Sequence, residues 1–160
     1  MGLHMKIPLT NSNKTFLIDG ESYHEISKVN WFLNNGYVSR TIYIDGNPYQ
    51  QRLHRQLLKL EPYNLLTGDH INGDKLDNRR SNLRVCTQGQ NNRNSVARAT
   101  NKSGFKGVSW KKSAKKWCAQ IMADRVIHIG VFKDKEYAAY LYDQYALQLH
   151  GDFARTNYEY

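Results

Sequence analysis

Residues 68–84 read GDHINGDKLDNRRSNLR, a segment that places a carboxylate, Asp69, directly before an imidazole, His70. Consecutive residues of one strand point to opposite faces, so these two side chains can share a small volume only where a strand bends into a turn. The Asn72-Gly73 pair and the asparagines that follow favour turns and side-chain hydrogen bonds. The segment therefore predicts a strand that ends near His70, followed by an amide-rich loop.

These residue types suit the hydrolysis of a phosphodiester bond, which needs a base, a hard cation and positive side chains that hold the strand. His70 is the candidate base, because histidine is the side chain whose ordinary pKa lies nearest neutrality. Asp69 and an asparagine oxygen suit Mg²⁺ or Mn²⁺. These residues leave one alternative open: His70 and the asparagines have a purely structural role and stabilise the loop by hydrogen bonds. The candidate phosphate clamps are Arg79, Arg80, Arg84 and Arg93.

The charge of the chain favours a polyanionic partner. Its 160 residues include 23 basic and 14 acidic side chains, for a formal net charge of +9. Residues 1–48 carry four of each sign, whereas residues 49–100 carry nine basic and four acidic side chains, and residues 101–160 carry ten and six. No apolar run approaches the ~18 residues of a membrane span. Charge alone does not separate nucleic acid from an anionic membrane surface, so the motifs must decide.

The residue pattern predicts an α+β fold. Lys14–Ile18 predicts a strand closed by an Asp19-Gly20 turn, and Asn35-Gly36 and Asp45-Gly46 predict further turns of an antiparallel meander. Arg52–Leu60 has the spacing of a short helix. We divide the chain into a β-rich region at 5–48, a region at 49–95 that holds the reactive segment, a linker at 96–103, and a region of three strands and one helix at 104–158.

The last region predicts a sheet with one apolar and one polar face. The strands are Phe105–Trp110, Lys116–Ala123 and Val126–Phe132, and the helix is Lys135–His150 with Asp134 as its N-cap. The helix would pack on the sheet through Ala138, Leu141, Tyr142, Tyr145 and Leu149. The apolar sheet face collects Val108, Trp110, Trp117, Ala119, Ile121, Ile127 and Ile129. The polar face collects Ser109, Lys111, Gln120, Met122 and His128, with Lys106, Lys115 and Lys116 nearby. Such a face can enter a DNA major groove, although an ordinary solvated face is the alternative.

Residues 69–78, with Asn82-Leu83-Arg84, Thr87 and 91–94, resemble the HNH homing endonucleases of phages and mobile introns. The match covers roughly residues 40–95, and Leu53-His54-Arg55 is similar to the helix that precedes the active site of that family. The resemblance implies a ββα-metal (His-Me finger) core in which His70 is the general base and Asn82 orients His70 or the loop. It also implies that Asp69 and Asn91 hold one catalytic divalent cation. With only two cysteines, Cys86 and Cys118, we expect no structural zinc.

Residues 104–158 resemble an AP2 DNA-binding domain, through the stretches 105–110, 116–121, 129–132, 136–143 and 149–157. The resemblance implies DNA contacts from Lys106, Ser109, Lys111, Gln120, Met122 and His128. Plant members tend to have arginine at the positions of Ser109 and Met122, glutamate at Gln120 and tryptophan at His128. The docking mode therefore carries over as an expectation, but the base preference does not.

Taken together, the sequence predicts a metal-dependent, site-selective DNA endonuclease of the homing type. Its expected partner is double-stranded DNA, with no membrane and no small-molecule cofactor, and its expected place is the cytoplasm of a bacterial or phage-infected cell. Monomer and dimer both stay open. The alternative function is that of a non-catalytic, sequence-specific DNA-binding protein of the transcription-factor type, which would bind DNA without cutting it.

Overall fold

The computed structural model describes residues 3–160, and the chain divides between Gln88 and Gly89 into two units. Between residues 3 and 88, the first unit contains seven strands and two short helices. In chain order these are β1 (His4–Leu9), β2 (Ser12–Asp19), α1 (Tyr23–Ile26), β3 (Phe32–Asn34), β4 (Tyr37–Ile44), β5 (Asn47–Arg52), α2 (Leu53–Leu57), β6 (Thr67–His70) and β7 (Leu83–Cys86). They form three antiparallel sheets, β1-β2, β3-β4-β5 and β6-β7.

The β3-β4-β5 sheet confirms the predicted meander. Each of its two tight turns places two consecutive residues at positive φ, as hairpin turns of the mirror-image type require. Asn35 and Gly36 have φ of 50° and 81°, and Asp45 and Gly46 have φ of 49° and 78°. Asparagine, aspartate and glycine tolerate this backbone at low cost, so these pairs fix the register of the sheet.

The prediction of a hairpin turn at Asp19-Gly20 was wrong. β2 turns back on the preceding strand β1, which begins at His4, one residue before the start of the predicted β-rich region. The segment Gly20–Ser22 forms a 3-10 turn that leads into α1. Asp19 instead accepts a hydrogen bond from the backbone N–H of Arg80 at 2.8 Å, and the Gly20 N–H donates to the Leu3 carbonyl at 2.6 Å.

The core of the first unit fixes the loop that follows His70. Its fully buried side chains come from β2, β4, α1, α2 and the segment just before β3, and they include Phe16, Ile18, Trp31 and Leu53. Leu76 of the loop packs against this core, and the loop joins β2 through a parallel bridge. In that bridge the Leu17 N–H donates to the Leu76 carbonyl and the Asn78 N–H donates to the Leu17 carbonyl, both at 2.8 Å. The loop is thus held as an added piece of strand.

The second unit confirms the predicted three strands and helix. It contains most of α3 (Gln88–Arg93) and all of β8 (Val108–Lys111), β9 (Lys116–Met122), β10 (Val126–Phe132) and α4 (Lys135–His150). β9 is the central strand of the antiparallel sheet, and α4 packs on one face of it. Asp134 caps the helix, because its carboxylate accepts the Tyr137 N–H at 2.6 Å. Among residues 3–160, no helix combines the length and the apolar character that crossing a bilayer requires.

The buried face of α4 differs in part from the predicted one. Ala138, Ala139 and Ala146 are fully buried together with Tyr142, so small side chains bring α4 close to the sheet. The predicted helix face was wrong at Tyr145 and Leu149, which are more than one-third exposed. We also expected Trp110, as part of the apolar sheet face, to be buried in the core, and this was wrong. Trp110 is 48% exposed and meets Trp117 edge-on, with ring centroids 5.0 Å apart.

The segment after α4 is held by one carboxylate. Asp143 is fully buried, and it accepts hydrogen bonds from the backbone N–H groups of Asn157 and Tyr158 and from the Asn157 amide, at 2.8 to 3.0 Å. The Asn157 side chain in turn accepts the Lys106 N–H at 2.7 Å. These hydrogen bonds attach the last residues of the unit to α4 and to the segment just before the sheet.

We predict that Asp143→Ala lowers the free energy of unfolding by about 3 kcal/mol, because it removes the buried acceptor of three N–H donors from Asn157 and Tyr158. Urea denaturation of the full chain, followed by circular dichroism, measures the change. Asp124→Ala is the matched control, since that carboxylate is fully exposed. Equal midpoints for the two variants would contradict the role given to Asp143.

Candidate active site

The β6-β7 pair presents the predicted catalytic residues at the end of a strand. Asp69 pairs with Arg84 and His70 with Leu83 across the two strands. His70 is the last residue of β6, and its carbonyl accepts the Gly73 N–H at 2.8 Å, so the chain turns immediately. Both Asp69 and His70 are buried. The prediction of a strand that ends in a turn at this pair is confirmed.

A buried asparagine sets the orientation of the His70 ring. The Nε2 atom of His70 lies 3.3 Å from Oδ1 of Asn78, and Nδ2 of Asn78 donates to the Lys75 carbonyl at 3.3 Å. The second bond fixes which end of the amide faces the ring. Because a carbonyl oxygen can only accept, the proton of the neutral ring lies on Nε2. Nδ1 is therefore the basic nitrogen of His70.

Two further aromatic rings surround His70. The rings of His54 and His70 meet edge-on with centroids 4.9 Å apart, and Tyr37 lies 5.3 Å from His54 and 6.2 Å from His70. Gly68 makes this packing possible, since a Cβ there would lie 2.6 Å from Cδ2 of His54. The three rings form a cluster that we call the His54–Tyr37–His70 cluster, and it shields the imidazole of His70 from water on that side.

Burial keeps both imidazoles of this cluster neutral. Desolvation lowers the pKa of His70, against a smaller opposite effect of its bond to Asn78. The pKa of His54 falls from 6.5 to about 3, first through burial and then through repulsion from His70, Arg52, Arg55 and Lys75. At neutral pH, His70 is thus in the form that can accept a proton.

Asn82 organises the loop between the two strands. Its Oδ1 accepts the Asn72 N–H at 3.0 Å, and its Nδ2 donates to the Asp77 carbonyl at 2.8 Å. The Asp77 carboxylate is also buried, and Arg79 donates to its two oxygens at 2.7 and 2.6 Å. These bonds hold the pKa of Asp77 below its ordinary value. Of the two roles expected for Asn82, the geometry places it against the loop.

Three of the four predicted phosphate clamps have internal partners in the first unit. Arg84 donates a hydrogen bond from Nε to Oδ2 of Asp69 at 2.8 Å, and its Nη2 forms an ion pair with the same oxygen at 2.7 Å. Arg79 binds Asp77 as described, and Arg80 donates to the Leu57 carbonyl at 3.0 Å. The fourth, Arg93, lies in the second unit with a guanidinium nitrogen 4.0 Å from Oδ1 of Asp124. These contacts fix the positions of the guanidinium groups within the protein.

The donor chemistry at Asp69 fits a hard divalent cation. A buried carboxylate and amide oxygens are the ligand types that Mg²⁺ and Mn²⁺ prefer. Across residues 3–160 no group of three His, Cys, Asp or Glu side chains could hold a metal by itself. A cation at Asp69 would therefore take its remaining ligands from amide, phosphate or water oxygens. Asn91, the predicted second ligand, lies on α3, beyond the division of the chain at Gln88.

The polar face of the second unit carries most of the predicted DNA contacts. Ser109, Lys111, Lys115, Gln120, Met122 and His128 are exposed, and Gln120 stands opposite His128 across two strands. Lys116 is half-buried. Lys106 is half-buried too: its Nζ donates to the Arg93 carbonyl, and burial and the charge of Arg155 lower its pKa to about 8. A groove of about 500 Å³ follows this face and includes Ser109, Gln120 and Met122 in its lining.

Sequence reasoning assigned no catalytic role to several residues around His70. Asn78 was part of the quoted motif, but nothing in its spacing distinguished it from Asn72 or Asn82 as the partner of the ring. His54 gave a signal, as a polar residue among the leucines of a short helix. Tyr37 gave none. On the polar sheet face, Cys118 was also missed, and its sulfur lies 3.5 Å from Nδ1 of His128.

Comparisons with known proteins agree with the geometry. Residues 68–93 match the HNH endonuclease family. An HNH endonuclease of Acanthamoeba polyphaga mimivirus is 30% identical over 138 residues, which cover 82% of this chain and 68% of the viral protein. Protein 3.8 of Escherichia phage T7 is 35% identical over 88 residues, which cover 54% of this chain and 72% of the phage protein. No solved structure matches.

We predict that His54 makes the protein sensitive to acid. Its pKa is 6.5 in the unfolded chain and about 3 in the folded one, so its contribution to stability is complete above pH 6.5 and is lost as pH falls toward 3. The expected slope is about 1 kcal/mol per pH unit. Urea denaturation between neutral and mildly acidic pH measures it.

The comparison for this prediction is His54→Gln, which keeps a polar side chain but cannot titrate in this range. The free energy of unfolding of this variant should depend less steeply on pH than that of the unsubstituted chain. Parallel pH profiles for the two proteins would show that His54 is not the titrating group.

Proposed function

The chain belongs to the HNH endonuclease family, and we propose that it is a metal-dependent, site-selective DNA endonuclease of the homing type. The observation that carries the chemistry is the orientation of His70, which is buried, neutral and directs its basic Nδ1 away from Asn78. The chain order β6, β7, α3 agrees with the ββα order that the resemblance implies. The proposed nuclease core spans 49–95, preceded by the β-rich region at 5–48.

In the proposed reaction, Nδ1 of His70 takes a proton from a water molecule. The oxygen of that water forms a bond to the phosphorus, and the bond from phosphorus to the 3′ oxygen of the strand breaks. Asp69 would hold one Mg²⁺ or Mn²⁺, with Asn91 as the second ligand implied by the resemblance. The charge of the cation, when bound, supplies stabilisation at the phosphate and the departing oxygen.

The neighbours of His70 have separate positioning roles. Asn78 keeps the ring proton on Nε2, so that Nδ1 stays basic. His54 and Tyr37 pack against His70 and limit the approach of water, and His54 adds no positive charge because it stays neutral. Arg84 fixes the Asp69 carboxylate by one donated hydrogen bond and an ion pair to the same oxygen. Asn82 holds the loop that carries Asn78.

The second unit would select the DNA site. In this proposal the linker at 96–103 leads into an AP2-like domain at 104–158, whose polar sheet face meets the major groove. Gln120 and His128 are exposed, adjacent and able to reach base edges, and Lys111, Lys115 and Lys116 would contact phosphates. The phage relative fits action inside a phage-infected cell.

We predict that His70→Ala reduces the rate of DNA cleavage by a factor of about 10² to 10⁴, the usual contribution of a general base. Affinity for duplex DNA should stay nearly unchanged, because the substitution removes no positively charged side chain. A plasmid-nicking assay in Mg²⁺ and a gel-shift assay measure the two effects. His24→Ala is the control, since His24 lies on α1, is exposed and bonds to Lys28. Full activity of His70→Ala would refute its role as the base.

A chelator separates the nuclease from the alternative, a DNA-binding protein that does not cut. We predict that plasmid nicking in Mg²⁺ or Mn²⁺ stops when EDTA is added and returns when the metal is restored in excess, because hydrolysis needs the cation. DNA binding should persist in EDTA and weaken with added salt. Salt-sensitive binding without cleavage in any divalent metal would favour the alternative function.

A further inference from the structure

A groove of about 370 Å³ lies beside β3, β4 and β5 in the first unit. Its lining is made of four amides, one serine, two tyrosines and two arginines, and no described residue in it is acidic. The residues that matter here are Asn34, Gln50, Tyr49, Arg52 and Tyr63. None of the DNA-contacting residues predicted from the sequence lies in this groove, since all of them fall at Arg79 or later.

The loop on one side of the groove, residues 61–66, is built to present an aromatic ring. The Arg55 guanidinium donates to the carbonyls of Glu61 at 2.7 Å and Leu66 at 3.2 Å, and so joins the two ends of the loop. Within the loop, Oδ1 of Asn64 accepts the Leu66 N–H at 2.8 Å. Tyr63 has a φ of 65° and is 81% exposed. A bulky residue in this backbone region is strained unless its surroundings hold it there.

The groove leads to the wall of the candidate active site. Tyr63 lies 5.8 Å from Tyr49, which supports it from the edge of the sheet. Arg52, on the same strand as Tyr49, stacks on the Tyr37 ring at 4.2 Å. Tyr37 belongs to the His54–Tyr37–His70 cluster. A strand whose phosphate lies at His70 would therefore pass close to this groove.

We propose that this groove binds one strand of the substrate DNA beside the cleaved bond, with an unpaired base stacked on Tyr63. The proposal rests on the proposed function, because it takes DNA as the substrate. An aromatic face accepts any base, the amides of Asn34 and Gln50 can bond to base edges, and Arg52 supplies a cation for the backbone. Stacking needs a base that has left the duplex, so the groove selects DNA that is opened next to the cut.

The test compares the full-length protein with Tyr63→Ala, Tyr63→Phe and Tyr43→Ala. The probes are a fluorescein-labelled duplex with a central unpaired stretch and the fully paired duplex of the same length, both in EDTA so that no cleavage occurs. Tyr63→Ala should weaken binding of the unpaired probe by about tenfold and of the paired duplex by less. Tyr63→Phe should bind like the unsubstituted chain, because it keeps the ring.

Tyr43→Ala controls for the loss of an exposed tyrosine, since Tyr43 is 74% exposed and does not line the groove. Thermal unfolding of each variant confirms that it is folded. Equal effects of Tyr63→Ala on both probes, or no effect, would overturn the proposal. A plasmid-nicking assay of the unsubstituted protein, run in parallel, tests the nuclease separately: nicking with no Tyr63 effect rejects only the groove, and a Tyr63 effect without nicking rejects only the nuclease.

Discussion

One asparagine joins the hydrophobic core of the first unit to the imidazole that would do the chemistry. The backbone of Asn78 bonds to β2, and its side chain bridges the Lys75 carbonyl and the ring of His70. The backbone bond makes the position of this amide a consequence of core packing around Phe16 and Ile18. Because the side chain of Asn78 bonds to the ring, the position of this amide in turn sets the tautomer of His70. Preorganisation of the base therefore depends on folding of the β1-β2 hairpin, which is far from it in the chain.

Burial at this site has opposite effects on function and on stability. A desolvated imidazole is neutral and can accept a proton, but two imidazoles in contact cannot both be charged without a large free-energy penalty. The fold tolerates two buried neutral imidazoles because Tyr37 and Gly68 pack closely against them. Desolvation of ionisable groups is typical of functional sites, where some stability is given up for a defined protonation state.

Local signals in the sequence predicted much of this fold. Asn35-Gly36 and Asp45-Gly46 identify their turns because few residues tolerate positive φ, and α4 follows from its cap at Asp134. Local patterns could not predict contacts between segments that are far apart in the chain. Asp19 was misjudged because its partner, the N–H of Arg80, lies in another part of the chain. Tyr37 and Asn78 were not singled out for the same reason, whereas Asp69 and His70 stood out because they are adjacent. Trp110 shows that alternation along a strand assigns a face but not the depth of burial at a sheet rim.

The close approach of Gly68 to His54 and Leu58 couples these three positions in evolution. A Cβ at position 68 would lie 2.6 Å from Cδ2 of His54 and 2.9 Å from Cδ1 of Leu58. A larger residue at position 68 therefore requires accommodating changes in both neighbours, and a smaller residue at position 54 alone does not remove the need for glycine. Across descendants of this chain, a change at position 68 should be accompanied by changes at positions 54 and 58.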